Sequence, residues 1–151
     1  MTCQYCNEKT WDFAAFVEMK PKSKARPRFT KSGHTYTDKA TVEAERYIQK
    51  EILSRGARTF DRPVEVEIIC LFKVPQKLTK PIPRIDVDNA AKLIMDALQP
   101  KVIIDDKLVQ TLRVSKRYSM NEGFLIQIKF CDFEGHLQSA RDLAKKMYGT
   151  I

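Results

Sequence analysis

The chain is organised around the segment IDVDNAAK, residues 85–92. Its two carboxylates, Asp86 and Asp88, stand where a helix is predicted to begin, and Asp88 is the candidate N-cap because Asp86 lies before the helix. The helix is predicted to end near Leu98, since Pro100 stops it. Apolar residues recur along it at the three- and four-residue spacing of one helix face: Ala91, Ile94, Met95 and Leu98. The segment therefore predicts an amphipathic helix with acids at its amino end.

A second acidic pair, Asp105-Asp106, follows that helix after the apolar segment 102–104, which is predicted to be a short strand. These acids lie in a basic chain of 151 residues, with 27 Lys and Arg against 19 Asp and Glu and a formal charge of +8. Such a charge favours a polyanionic partner, with nucleic acid as the first candidate. Acids concentrated in a basic chain predict a divalent metal held where a nucleic-acid phosphate can reach it.

The proposed metal ligands are Asp86 and Asp88 together with Asp105 or Asp106. In extended chain Asp86 and Asp88 would point the same way, and the second pair can approach them if segment 102–104 lies beside the run that carries Asp86. Hard oxygen ligands of this kind favour Mg²⁺, with Mn²⁺ as a possible substitute. Such a metal would activate a water and stabilise the leaving oxygen of a phosphodiester.

Lys92 lies one turn after Asp88 and would neutralise charge on the phosphate. Each of these residues also has an ordinary interpretation. Asp88 and Lys92 would form a helix ion pair, Asp88 would only cap the helix, and Asp105-Asp106 would be a polar turn. Asp96 is expected to pair with Lys92 or to face solvent, and Asn89 is a further candidate oxygen ligand or phosphate contact.

The other elements predict one α+β domain over residues 11–151, with a mixed sheet and helices packed against it, after a flexible tail at 1–10. Antiparallel pairing as a hairpin is expected for the strands 108–118 and 124–130. The remaining predicted elements are a strand at 11–19, a helix from Asp38 to about Ser54, a central strand at 64–74, an irregular loop at 75–83 and an amphipathic helix from Gly135.

Basic side chains alternate through the proline-containing stretch 20–28 and would follow a phosphodiester backbone if they face one side; a solvated loop is the alternative. Phe29 and Tyr36 flank the turn that follows, where covering the core is favoured over stacking on a base. The predicted DNA contacts are Lys22, Lys24, Arg26, Arg28, Lys116 and Arg117.

Cysteine usage and hydropathy favour a cytosolic protein without a structural metal site. Cys70 and Cys131 are predicted to be small buried strand residues. Cys3 and Cys6 have half the spacing of a zinc knuckle, so incidental thiols in the tail are favoured over a zinc-stabilised adaptor. The chain shows neither a long apolar run nor the apolar core of a signal peptide.

The segment RIDVDNAAKLIMDAL at 84–98, followed by VIIDD at 102–106, resembles the signature of the RusA family of Holliday junction resolvases, which are often phage- or prophage-borne. SKARPR at 23–28, Tyr36-Thr37 and KRY at 116–118 also fit, so the resemblance covers about residues 16–130. It implies a RusA-like fold and an Mg²⁺-dependent homodimer without a small-molecule cofactor. The implied activity is resolution of four-way DNA junctions by paired symmetric nicks, in DNA recombination and repair.

The resemblance also implies roles for individual residues. The catalytic carboxylates would be Asp86, Asp88 and Asp106, and the catalytic lysine would be Lys92, with Asp105 adjacent and able to exchange roles with Asp106. A non-catalytic basic protein that binds or shapes DNA is the alternative function, because charge alone predicts salt-dependent binding without nicking.

Overall fold

The computed structural model describes residues 11–149, so the predicted tail at 1–10 and the Cys3–Cys6 pair lie outside the described residues. The described elements form the predicted α+β fold with a mixed sheet. They are β1 (Phe13–Glu18), β2 (Arg28–Phe29), β3 (Thr35–Tyr36), α1 (Lys39–Ser54), β4 (Val64–Lys73), α2 (Val87–Leu98), the 3-10 turn Asp106–Leu108, β5 (Val109–Ser119), β6 (Gly123–Phe130) and α3 (Phe133–Tyr148).

The main sheet has the strand order β1-β6-β4-β5. β4 runs parallel to β5 and antiparallel to β6, and β1 is antiparallel to β6. The predicted hairpin of β5 with β6 is therefore wrong, because β4 lies between them. β4 carries the longest apolar run of the three strands and buries it at the centre, where both of its edges are paired. The connection 120–122 passes the end of β4 and spans two strand spacings, about 10 Å.

The helices α1 and α2 pack against each other and the sheet, whereas α3 buries no residue. Asp38 caps α1 as predicted, since its carboxylate accepts from the N–H of Thr41 at 3.3 Å. Hydrogen bonding from the Thr41 side chain, with a smaller effect from its backbone N–H, lowers the pKa of Asp38. Asp132 caps α3 by accepting from Gly135 N–H at 3.0 Å, which starts that helix at Phe133. Among the described helices, none is long and apolar enough to cross a bilayer.

The short segment before the second acidic pair is not the predicted strand. Ile103 makes a single parallel bridge with Phe60. The N–H of Phe60 donates to Val102 O at 2.7 Å, and the N–H of Ile104 donates to Phe60 O at 3.3 Å. Phe60 and Ile103 are fully buried. The chain that leads into Asp105 is thus hydrogen-bonded to Phe60 rather than to the run that carries Asp86.

Replacing Phe60 by alanine should lower the free energy of unfolding by about 3–5 kcal/mol, because a fully buried ring is lost and a cavity remains. The ring also packs on Phe130, with centroids 4.9 Å apart. Urea denaturation measures the change. Phe29→Ala is the matched control, since Phe29 is 73% exposed and its loss should cost less than about 0.5 kcal/mol. Equal losses for the two variants would contradict the placement of Phe60 in the core.

Candidate active site

The helix α2 begins at Val87, one residue before the predicted cap. Asp86 occupies the N-cap position and Asp88 lies in the first turn, so the assignment of Asp88 as the cap is wrong. Asp86 has extended backbone and its carbonyl accepts from the N–H of Ala90 at 3.0 Å, yet its side chain makes no capping hydrogen bond. The carboxylate instead accepts a long 3.5 Å hydrogen bond from the Asn89 amide. An N-cap aspartate that leaves the helix uncapped keeps its carboxylate oxygens available to another partner.

The early helix start also changes the expected geometry of the two carboxylates. The expectation that Asp86 and Asp88 point the same way required extended chain at both residues, and that premise does not hold because Asp88 lies in the first turn of α2. They border two neighbouring clefts of about 510 and 540 Å³. The first, called the Asp86 cleft, is lined by Ser23, Lys80, Ile82, Pro83, Arg84, Ile85, Asp86 and Lys116. The second, called the α2–β5 cleft, is lined by Val87, Asp88, Ala91, Lys92, Met95, Asp96, Gln99, Asp106, Leu112 and Val114.

The α2–β5 cleft brings together three of the four predicted catalytic residues. Asp88 and Lys92 enter it from successive turns of α2, and Asp106 enters it from the 3-10 turn before β5. Most of its surface is apolar, contributed by Ala91, Met95, Leu112 and Val114. Within residues 11–149, Asp88 and Lys92 form no ion pair within 4.0 Å, so the ordinary helix pair is not formed. The Lys92 ammonium is therefore not held by its neighbour on the helix.

Asp105 and Asp106 differ in what their side chains do. The Asp105 carboxylate accepts from the N–H of Lys107 at 2.9 Å, and this backbone hydrogen bond lowers the pKa of Asp105. Asp105 thus caps its own 3-10 turn, while Asp106 lines the α2–β5 cleft. The geometry favours Asp106 over Asp105 as the carboxylate that works with Asp88.

The donor set of the α2–β5 cleft suits a hard divalent cation. Among residues 11–149 no group of three or more His, Cys, Asp or Glu lies close enough to hold a metal. Mg²⁺, however, is commonly bound through one or two carboxylates, with water and substrate phosphate completing the octahedron. Asp88 and Asp106 supply that number, and Asp86 borders the adjoining cleft. These residues fit Mg²⁺, with water filling the remaining positions and a phosphate replacing some of it when DNA binds.

The basic row of residues 22–28 does not present one uniform face. Lys22 donates from Nζ to the carbonyl of Ala40 at 3.2 Å. Lys24 pairs with Asp96 and with Glu45, and the hydrogen bond to Asp96 raises its pKa. Asp96 is exposed, as one of its two expected alternatives had it, but its ion-pair partner is Lys24 rather than Lys92. Arg26 and Arg28 are exposed, so they are the members of the row best placed to meet a phosphate.

Replacing Arg26 or Arg28 by glutamine should weaken DNA binding, because each arginine is expected to neutralise a phosphate. The slope of log K against log salt should become shallower by about 0.9 for each phosphate that the variant leaves unneutralised. Fluorescence anisotropy at several salt concentrations measures the slope. Lys24→Gln is the matched control from the same row, because its ammonium already has two carboxylate partners. An unchanged slope for both arginine variants would show that they do not touch DNA.

Lys116 and Arg117 lie on opposite faces of β5, since neighbouring strand residues alternate. Lys116 lines the Asp86 cleft and donates from Nζ to Ile85 O at 2.7 Å, whereas Arg117 faces away from that cleft. Two cations of the same cleft, Lys80 and Arg84, were not predicted as site residues. Their signal was their position in the proline-rich loop immediately before the acids.

An acidic cleft beside basic side chains, in a chain of charge +8, is the arrangement of an enzyme that cleaves nucleic acid. The family described as Endodeoxyribonuclease RusA matches residues 18–129. The chain therefore belongs to this family of endodeoxyribonucleases, as the resemblance of its motifs predicted. Membership favours a nuclease over the non-catalytic alternative. A comparison with curated proteins finds no match. The helix α3 lies beyond the matched residues.

Proposed function

We propose that this endodeoxyribonuclease uses Mg²⁺ and acts as a homodimer that resolves four-way DNA junctions by paired symmetric nicks, in DNA recombination and repair. The observation that carries the proposal is the α2–β5 cleft, where Asp88, Lys92 and Asp106 meet in a chain of the RusA family.

Asp88 and Asp106 would hold Mg²⁺, with Asp86 as a further ligand from the adjoining cleft; when bound, the metal lowers the pKa of a water and stabilises charge on the phosphate. The Lys92 ammonium contacts a non-bridging phosphate oxygen and offsets the charge that develops there. The apolar side chains of Met95, Leu112 and Val114 limit water around that contact, which strengthens it. Arg84 and Lys116 border the adjoining cleft and attract the neighbouring phosphates.

A homodimer follows from the substrate, because one cleft cuts one strand and resolution needs two cuts related by symmetry. A two-fold protein places two identical sites on a two-fold junction. In support, β5 forms one edge of the described sheet, and Ile104 is exposed in the segment that leads to it. The unpaired edge of a strand can pair with another chain. Light scattering should give twice the mass of one chain, and a monomer bound to an uncut junction would contradict the dimer.

The experiment that tests the activity compares a synthetic four-way junction with a linear duplex of the same arm sequence, each with Mg²⁺ or EDTA. We expect paired nicks in opposing strands of the junction only, and only with Mg²⁺. Equal cutting of the duplex would contradict junction selectivity, and cutting in EDTA would contradict the metal. Titration of the metal-free protein with Mn²⁺ provides a separate readout. We expect saturable binding, and its absence would show that these carboxylates do not hold a metal.

A further inference from the structure

The two short strands β2 and β3 form a ribbon that was not predicted, and its aromatic residues do not cover the core. Phe29 is 73% exposed and Tyr36 is 46% exposed. Every residue from Arg28 to Thr37 is exposed, so the ribbon packs on no core of its own. The expectation that Phe29 and Tyr36 cover the core is therefore wrong. A phenylalanine that folding leaves in water at the tip of a ribbon is available to a partner.

The ribbon keeps its shape through its own hydrogen bonds. The N–H of Thr30 donates to His34 O at 2.8 Å, and the N–H of Gly33 donates to Thr30 O at 3.0 Å. The Thr30 hydroxyl oxygen accepts from the N–H of His34 at 3.0 Å. Gly33 has φ +84°, a left-handed conformation that favours glycine at this turn. The backbone beneath Phe29 is thus set before any partner binds, so little ordering is required on contact.

The strand register separates the two aromatic rings. Phe29 is opposite Thr35, and Arg28 is opposite Tyr36. Cross-strand partners share a face and neighbours alternate, so Phe29 stands on one face of the ribbon while Tyr36 stands beside Arg28 on the other. Phe29 therefore presents a single flat apolar ring on its face of the ribbon, and Arg28 lies on the opposite face.

The charge around the ribbon indicates the kind of partner. From Met19 to Thr37 the chain contains six lysines and arginines and no acid. An exposed aromatic ring within a basic segment suits nucleic acid, where phosphates meet the cations and a base offers a face for stacking.

The ribbon is also connected closely to the α2–β5 cleft. The N–H of Lys24 donates to Asn89 O at 3.0 Å, which fixes the basic segment to the first turn of α2 next to Asp88. Phe29 follows Lys24 by five residues, a reach of at most about 18 Å. At about 3.4 Å per base pair, that reach corresponds to at most about five base pairs from the Lys24–Asn89 contact.

We propose that Phe29 stacks on the base pair beside a DNA branch point, so that the β2–β3 ribbon distinguishes branched DNA from continuous duplex. In continuous duplex both faces of each base pair are covered by its neighbours, and inserting a ring requires unstacking. At the centre of an open four-way junction each arm ends in a base pair with one uncovered face. Phe29 can therefore stack there without separating two base pairs. The inference rests on the proposed function, because it takes branched DNA as the substrate.

The test compares wild type, Phe29→Ala and Tyr148→Ala for binding to a four-way junction and to a duplex of the same arm sequence, in EDTA so that nothing is cut. Tyr148 on α3 is 74% exposed and serves as the matched aromatic control. We expect Phe29→Ala to weaken junction binding about tenfold and to leave duplex binding within about twofold, whereas Tyr148→Ala changes neither. Phe29→Trp should retain the preference, because its ring also stacks. A 2-aminopurine beside the branch point should change fluorescence with wild type and not with Phe29→Ala.

Two results would overturn the inference while leaving the proposed function intact. In the first, the wild type prefers the junction and Phe29→Ala keeps that preference. In the second, Phe29→Ala loses the same amount of affinity for the junction and for the duplex. Equal binding of both DNAs by the wild type would instead contradict the branched substrate that the proposed function assumes. The last measurement uses vesicles of anionic phospholipid. If the wild type binds them, Phe29→Ala does not, and the junction preference is unchanged, then Phe29 contacts a membrane surface and the inference is overturned.

Discussion

Replacing Asp88 by asparagine should reduce junction cleavage at least about a thousandfold, because the α2–β5 cleft would lose one of the two carboxylates proposed to hold the metal. A bound metal contributes several kcal/mol of charge stabilisation in the transition state, and each 1.36 kcal/mol corresponds to a tenfold change in rate. Junction binding should persist or tighten slightly, since the change removes negative charge near the phosphate and leaves the basic residues in place. Single-turnover cleavage in Mg²⁺ and anisotropy in EDTA measure the two effects separately.

The adjacent pair Asp105-Asp106 provides the control for this prediction. Asp106→Asn should cause a loss similar to that of Asp88→Asn, because both side chains line the α2–β5 cleft. Asp105→Asn removes the same charge one residue away, but Asp105 accepts a hydrogen bond from Lys107 N–H within its own turn, as asparagine also can. We expect it to retain activity within about tenfold, well short of the thousandfold loss. If Asp105→Asn were the inactive variant, the assignment of the two aspartates would be reversed.

The parts of the fold that depend on local signals could be predicted from the sequence. The helix α1 is specified by its Asp38 cap, its apolar spacing and its termination before Gly56. The pairing of β5 could not be predicted in this way, because alternation identifies a strand without identifying its neighbour. The apolar β4 is paired on both edges and separates β5 from β6. Adjacency in sequence favoured the hairpin, and burial of β4 excluded it.

The residue types of the candidate site could be predicted from the sequence, whereas the directions of their side chains could be predicted to a much smaller extent. Because α2 starts at Val87, Asp88 lies in its first turn while Asp86 is the extended N-cap, and the two aspartates border different clefts. The pairing of Lys24 with Asp96 joins residues 72 positions apart and has no local signal. The exposure of Phe29 depends on where the ribbon packs, which composition does not reveal. Family resemblance points to Asp106, and the capping role of Asp105 gives a physical reason why Asp106 is the one that lines the cleft.

Replacing Lys92 by methionine should reduce cleavage about a hundredfold while leaving metal binding and junction binding nearly unchanged. Methionine preserves the length of the side chain and its contact with the apolar part of the α2–β5 cleft, so the variant removes only the charge. A fixed charge of this kind that acts mainly on the transition state is worth about 10²–10³ in rate. Its effect should fall on the rate of the chemical step in single-turnover assays, since a contact made mainly in the transition state does not alter ground-state affinity.

Two further variants distinguish this role from a general effect of positive charge. Lys50→Met removes a solvent-exposed lysine from α1, where no predicted site residue lies. The cleavage rate should stay within about twofold of wild type, because salt screens the attraction of DNA by one exposed charge. Lys92→Arg keeps the charge on a larger, planar group, so partial activity is expected. If Lys92→Met and Lys50→Met lowered the rate equally, or if the loss of Lys92 appeared only as weaker binding, Lys92 would be one more cation that attracts DNA. A loss confined to the chemical step would instead place its ammonium at the phosphate being cut, on the turn of α2 that follows Asp88.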